Sequence, residues 1–251
     1  MTVRTSIADG VCEIRLDRPA KRNAITPAMW EELNTALDRV ERDDGIRTVL
    51  FTGAGQSFCA GADLGAFSAE SLEAGVPEGL DNPGGRVTVR LPHVDKVMVA
   101  AVQGHAVGFG TSLVLQCDYV LTSPDARFAM PFVERGFVPE GGSSLCLPQR
   151  IGYLRAARMM LAGEAIDGPT ACEWGLATRL VDASALLDDA RSLAARIASL
   201  PEGALRRTRQ LMRTPSRDID DQLRREAEAF SAQLRSPEVR DRIAAFESRR
   251  R

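Results

Sequence analysis

The feature that most constrains this chain occurs twice: a short strand without polar alternation that runs straight into a glycine-rich turn. Thr48-Val-Leu-Phe-Thr52 leads into Gly53-Ala-Gly-Gln-Ser-Phe-Cys-Ala-Gly-Ala-Asp63. Val97-Met-Val-Ala-Ala-Val102 leads into Gln103-Gly-His-Ala-Val-Gly-Phe-Gly110, and a helix is predicted over Thr111–Cys117. Strands of this kind belong to sheets covered on both faces. A glycine turn at the strand end lets the backbone approach a ligand, and the helix start adds N–H groups at the positive end of its dipole. Neither turn is a nucleotide fingerprint: Phe58 and Leu113 stand where GxGxxG needs its third glycine, and GxxxxGK[ST] and GxSxG are absent. Alone, either turn does no more than redirect the chain. Two of them, each after a buried strand, point to an anion site built from backbone amides.

The surrounding pattern is layered α/β. Val11–Leu16 alternates apolar and polar residues as a half-buried strand, and Tyr119–Thr122 is a further strand. Thr26 and Pro27 form an N-cap and first-turn pair, and Met29, Leu33, Leu37 and Val40 make Pro27–Arg42 an amphipathic helix ended by Asp43-Asp44-Gly45. Between Ala66 and Arg86 the pattern fades, which predicts a surface loop or short helix. Pro201–Arg251 has apolar positions at helical spacing and 13 Arg against 9 acidic residues, so an acidic body of net −6 precedes a basic helical tail of net +4. A chain of 251 residues accommodates one large domain with an appendage, divided here as 1–198 and 199–251.

Composition removes several chemistries. The overall charge of −2 argues against a nucleic-acid partner. The chain has two histidines, His93 and His105, and five scattered cysteines without a CxxC or HExxH pattern, so no metal site is expected. The most apolar stretch, Val97–Leu121, is broken by Gln103, His105, Gln116 and Asp118, which predicts no membrane span. Met1–Gly10 lacks a charged start followed by an apolar run, and with unpaired cysteines this predicts a cytoplasmic location.

At this point the residues resemble the crotonase (enoyl-CoA hydratase/isomerase) superfamily. Phe58-Cys-Ala-Gly-Ala-Asp-Leu64 is similar to its first signature, and Val102–Gly110 running on to Cys117-Asp118 is similar to its second. Asn23-Ala after Asp17-Arg-Pro19, Ala126-Arg-Phe128, Gly136-Phe-Val-Pro139 and Gly175-Leu-Ala177 extend the resemblance over nearly the whole chain. It implies a crotonase-like spiral of ββα units, a C-terminal helical trimerisation region and a homotrimer or hexamer. It also implies an acyl-CoA substrate in fatty acid metabolism, with coenzyme A part of the substrate and no separate cofactor. Carried over by position, the oxyanion hole is the N–H groups of Ala62 and Phe109. Phe109 replaces the usual glycine, and the role needs only its backbone. Two such donors suit an enolate, whose oxygen gains charge as a proton leaves the carbon next to a thioester.

The resemblance also sorts the chemistry. Family hydratases use two glutamates, and the matching positions are Ser112 and Phe132, neither of which is a general base near neutral pH. Pro139-Glu140-Gly instead resembles the segment of Δ3,Δ2-enoyl-CoA isomerases whose Glu shuttles a proton between C2 and C4. Ring-opening isomerases of phenylacetyl-CoA epoxides carry an acidic residue at the same place. Read without the resemblance, Glu140 is a surface-loop carboxylate. Glu134 falls off the catalytic position, and Asp63 is expected to fix loop geometry through side-chain-to-backbone bonds. Ala60, Asp63, Leu64, Gly108 and Phe132 would line the substrate path. Arg18, Lys21 and Arg22 would approach the CoA phosphates, and Phe246 and Arg249 would reach the CoA of a neighbouring subunit. Enoyl-CoA hydration, a lyase reaction, and a silent acyl-CoA-binding protein are the alternatives to isomerisation.

Overall fold

The computed structural model describes residues 1–67, 80–213 and 216–248. Its main sheet is built from β1 (Val3–Ala8), β2 (Val11–Leu16), β3 (Thr48–Gly53), β4 (Val97–Val102), β6 (Tyr119–Thr122) and β9 (Arg179–Leu180), in the order β1-β2-β3-β4-β6-β9. Only the β1–β2 hairpin is antiparallel, and the remaining pairs are parallel. A smaller sheet joins β5 (His105–Val107), β7 (Arg127–Ala129) and β8 (Ile166–Asp167). This is the layered α/β arrangement that the sequence pattern predicts.

Strands β3 and β4 are buried on both faces because helices cover both. Val49, Phe51, Met98 and Ala100 belong to the larger apolar core with α1 (Pro27–Arg42). Their alternates Leu50, Val97, Val99 and Ala101 face a second cluster closed by Leu186, Ala190, Ala194 and Ile197 of Leu186–Ala198. The two-residue period of a strand thus assigns each neighbour to an opposite layer.

Helix α1 starts as its sequence predicts, with the Thr26 hydroxyl accepting from the Met29 N–H and Pro27 at the first position. Two boundaries differ from the sequence reading. Of the segment Ala66–Arg86, expected as a loop or short helix, residues 68–79 lie outside the described residues. Its end opens helix α2 (Pro83–Arg90), where the Asn82 side chain accepts from the Gly85 N–H and Pro83 stands first, as Thr26 and Pro27 do in α1. Gly84 and Gly85 hid it, since glycine is a poor helix former. Helix α3 starts at Phe109, not Thr111, and runs to Gln116.

The next helices are α4 (Ser143–Ile151), α5 (Tyr153–Met160), α6 (Gly168–Trp174) and α7 (Leu186–Ala198). The last three are α8 (Glu202–Met212), α9 (Ser216–Leu234) and α10 (Pro237–Ser248). They fold back onto the body. Buried Arg209 of α8 bonds Asp118 at 2.7 Å and the Val94 carbonyl at 2.6 Å. Phe230 of α9 stacks on Phe137 with ring centroids 5.4 Å apart. His93, which has no partner near it in sequence, meets Asp220 at 2.8 Å. No described helix is long and apolar enough to cross a membrane.

Candidate active site

The two glycine turns leave the carboxyl ends of adjacent parallel strands, β3 and β4, where open α/β sheets commonly place ligands. Long-range polar bonds hold the first turn. The buried Asn23 amide donates to the carbonyls of Ala54, Ser57 and Phe58 at 3.0, 2.7 and 3.1 Å, and its side-chain oxygen accepts from the Arg18 N–H at 2.8 Å. Gln103 Nε2 spans the turns by donating to the Gly53 and Gly55 carbonyls. Asn23 belongs to the Asn23-Ala motif after Asp17-Arg-Pro19, but nothing in the sequence shows that its side chain organises the turn.

The turns then lie against each other, and glycine makes the approach possible. A Cβ on Gly110 would sit 2.4 Å from the Cys59 carbonyl oxygen, and one on Gly61 would sit 2.6 Å from that of Val107. Gly61 also has φ +88°, in the left-handed region. The Gly61 carbonyl and the Asp63 N–H both bond to Ile25, so the Ala62 N–H between them points the other way. The Phe109 N–H opens α3 and has no acceptor among the described residues, as expected of a first-turn donor. Its ring is buried edge-on against Trp30 of α1, with centroids 4.4 Å apart.

Both residues line one pocket with Gly61, Leu64, Gly108, Phe132, Phe137, Arg135, Glu140 and Phe230. Glu140 is the only carboxylate on that wall among the described residues. Burial among the aromatic rings, reinforced by the nearby Glu226 charge, pushes its carboxyl up to about 7. Its backbone carbonyl is tied down by the hydroxyls of Ser143 at 2.7 Å and Ser112 at 3.3 Å. Ser112 therefore helps to hold the Glu140 segment, and Phe132 forms part of the apolar wall. Glu134, the local rival, is exposed.

A groove of about 650 Å³ continues from the pocket, lined by Arg18, Lys21, Arg22, Ala60, Ala62, Asp63, Leu64 and Arg135 among others. Arg18 lines this groove, and its Nη1 pairs with Asp63 at 2.7 Å and donates to the Ala24 carbonyl at 3.0 Å. Asp63 in turn accepts from the Gly65 N–H, so it acts on loop geometry. Lys21 and Arg22 are exposed at the groove edge. Arg135, which sequence reasoning passed over, lines both cavities, and its burial pushes its pKa down. His105 shares a hydrogen bond with Ser57 at 3.2 Å and lies 3.4 Å from Arg22; partial burial and that cation lower its pKa. Arg249 and the side chain of Phe246 lie outside the described residues.

Glu226 was also missed. It is buried on α9, and its carboxylate accepts from the N–H groups of Gly142 at 2.7 Å and Ser144 at 2.9 Å, and from the Ser144 hydroxyl. The sequence carried no sign of it, because 84 residues separate it from Gly142.

Residues 6–251 match the profile of a family described as Enoyl-CoA hydratase/isomerase. The chain is 33% identical to a 1,2-epoxyphenylacetyl-CoA isomerase of Escherichia coli, over 99% of this chain and 96% of that protein. It is 36% identical to a carnitinyl-CoA dehydratase of Proteus mirabilis, over 82% of this chain and 78% of that one. A crystal structure of an enoyl-CoA hydratase/isomerase from Pseudoalteromonas atlantica superposes with a TM-score of 0.92 at 32% identity, covering 99% of this chain and 98% of the other.

Proposed function

The chain belongs to the enoyl-CoA hydratase/isomerase family, and on that premise we propose that it is an acyl-CoA isomerase with Glu140 as its proton shuttle. The thioester oxygen accepts the N–H groups of Ala62 and Phe109. The Glu140 carboxylate takes a proton from C2 of a 3-enoyl-CoA, and the C–H electron pair moves into the thioester as an enolate. The two N–H donors stabilise the oxygen where that charge develops. Protonated Glu140 then returns the proton at C4, leaving the double bond between C2 and C3. A carboxyl group at about 7 is suited to both steps: it is basic enough to accept the proton and acidic enough to return it.

The observation that carries this reading is the solitary carboxylate. One acid lines the pocket among the described residues, and a 1,3-proton shift needs one, whereas the family's hydration chemistry uses two. CoA would lie along the groove past Ala60, Asp63 and Leu64, with its phosphates towards Lys21 and Arg22, and no further cofactor takes part. The 1,2-epoxyphenylacetyl-CoA isomerase relative supports a second reading, ring isomerisation of an aromatic acyl-CoA between Phe132, Phe137 and Phe230. A trimer or hexamer belongs to the same proposal, supported by large apolar side chains left in water at Tyr153, Leu154, Leu161, Leu211 and Met212. Light scattering tests it.

For the reaction, purified protein is given 3-enoyl-CoA, 1,2-epoxyphenylacetyl-CoA and crotonyl-CoA. Conversion of the first to conjugated 2-enoyl-CoA, abolished by Glu140→Gln, is the expected result. Turnover of the epoxide alone favours the second reading. Crotonyl-CoA hydration that survives Glu140→Gln refutes the assignment, and acyl-CoA binding without any turnover identifies a silent member.

A further inference from the structure

The turn that carries Glu140 is gripped from two sides. From the body, the Glu140 carbonyl receives the hydroxyls of Ser143 and Ser112. From α9, the two oxygens of Glu226 receive separate backbone donors, Gly142 N–H on one and Ser144 N–H on the other. Gln222, one helical turn earlier on α9, donates to the Ser144 hydroxyl at 2.7 Å. Ile219 of the same helix rests on Gly142, and Phe230 stacks on Phe137 in the pocket wall. Helix α9 therefore reaches the reaction centre, and a buried acid is the group that meets it.

We propose that Glu226 is a positioning residue for Glu140: it holds the turn that aims the Glu140 carboxyl and places a fixed negative charge behind it. This rests on the reading of Glu140 as the proton shuttle. Burial pushes both carboxyls up, but the two differ in hydrogen bonding. Glu226 accepts two backbone N–H groups and a hydroxyl at the start of α4, where the helix dipole also favours an anion, and these pull against its burial, so its ionised form is the hydrogen-bonded one. Glu140 accepts no hydrogen bond on its carboxyl from any described residue and faces aromatic rings, so its protonated form is favoured. Arg135 is the basic residue sharing the pocket with Glu140. On the Glu226 side, Cys146 of α4 is a thiol whose pKa burial pushes up, so it stays uncharged. Two nearby carboxyl groups held in unlike settings separate into a standing anion and a proton carrier.

The test is a carboxyl ¹³C NMR titration of glutamate-labelled full-length protein, with the Glu140 resonance assigned by its loss in Glu140→Gln. In the wild type, Glu226, assigned by the loss of its resonance in Glu226→Gln, should lose its proton before Glu140; the reverse order overturns the proposal. In Glu226→Gln the Glu140 midpoint should fall below about 7, and the acidic limb of the isomerisation pH profile should move with it. Glu226→Asp keeps the charge and should restore the wild-type midpoint. An unchanged Glu140 midpoint in folded Glu226→Gln overturns the proposal while leaving the shuttle reading intact. Turnover surviving in Glu140→Gln refutes the shuttle reading, whatever the titration shows.

Discussion

Substituting Gly110 by alanine isolates the contact that sets the spacing of the oxyanion donors. Gly110 has no left-handed φ, so alanine brings no backbone strain and the effect is steric. The new Cβ would lie 2.4 Å from the Cys59 carbonyl oxygen and 3.0 Å from the Cys59 Cβ. A carbon rests no closer than about 3.3 Å to a carbonyl oxygen, so the two turns must part by about 0.9 Å. That displacement falls between the Phe109 N–H, one residue before Gly110, and the Ala62 N–H, three residues after Cys59. A misplacement of about 1 Å in a reacting geometry costs roughly 10²-fold in rate, close to the loss of one oxyanion donor at 10²–10³-fold. The expected result is a kcat for thioester isomerisation down about 100-fold, or about 2.7 kcal/mol. Overpacking of this kind costs about 1–3 kcal/mol of stability, and Tm should drop by roughly 2–4 °C for each kcal/mol. Gly203→Ala is the control, since nothing lies within 4 Å of its Cβ. It should keep full activity and match or exceed wild-type stability. A folded Gly110→Ala protein with kcat within threefold of wild type would refute the idea that the packed turns set donor spacing.

Two further outcomes follow from the same structure. Glu140 is held near 7 when folded against an ordinary 4.5, so folding favours its protonated form. That contribution is fully present below about 4.5 and is lost as pH rises through about 7. Glu140→Gln should therefore be more stable than wild type at pH 8, by on the order of 3 kcal/mol at most. The gain should shrink towards pH 4.5 in denaturant titrations, and a pH-independent difference would contradict the burial argument. Asn23→Ala removes the donor shared by three carbonyls and places alanine at φ +57°. It should cost about 2–4 kcal/mol and slow turnover, read by calorimetry and thioester kinetics together; a loss under 0.5 kcal/mol would show that water replaces the bonds.

Much of the frame was legible locally. The boundaries of β2 and α1 follow from alternation, helical spacing and the Thr26-Pro27 start, all of which depend on neighbours within a few residues. The Asn82-Pro83 start of α2 was the same signal, masked by two glycines. Ala62, Phe109 and Glu140 were reached through family motifs, which carry positional information that spacing alone lacks. Arg135, Glu226 and Phe230 carried no such motif, and their partners lie on other elements.

The sequence by itself therefore determined the layered α/β order, the two glycine turns at strand ends and the scarcity of acid–base groups around them. These are statements about neighbouring residues, and neighbouring residues are what local sterics and periodicity control. Tertiary structure alone decided that Arg18 pairs with Asp63 and that Lys21 and Arg22 stay at the groove edge. It also decided that the basic tail returns over the pocket and brings an acid, Glu226, behind Glu140. The physical reason is that the proton affinity of a carboxyl depends on burial and nearby charge, and only the folded chain sets both.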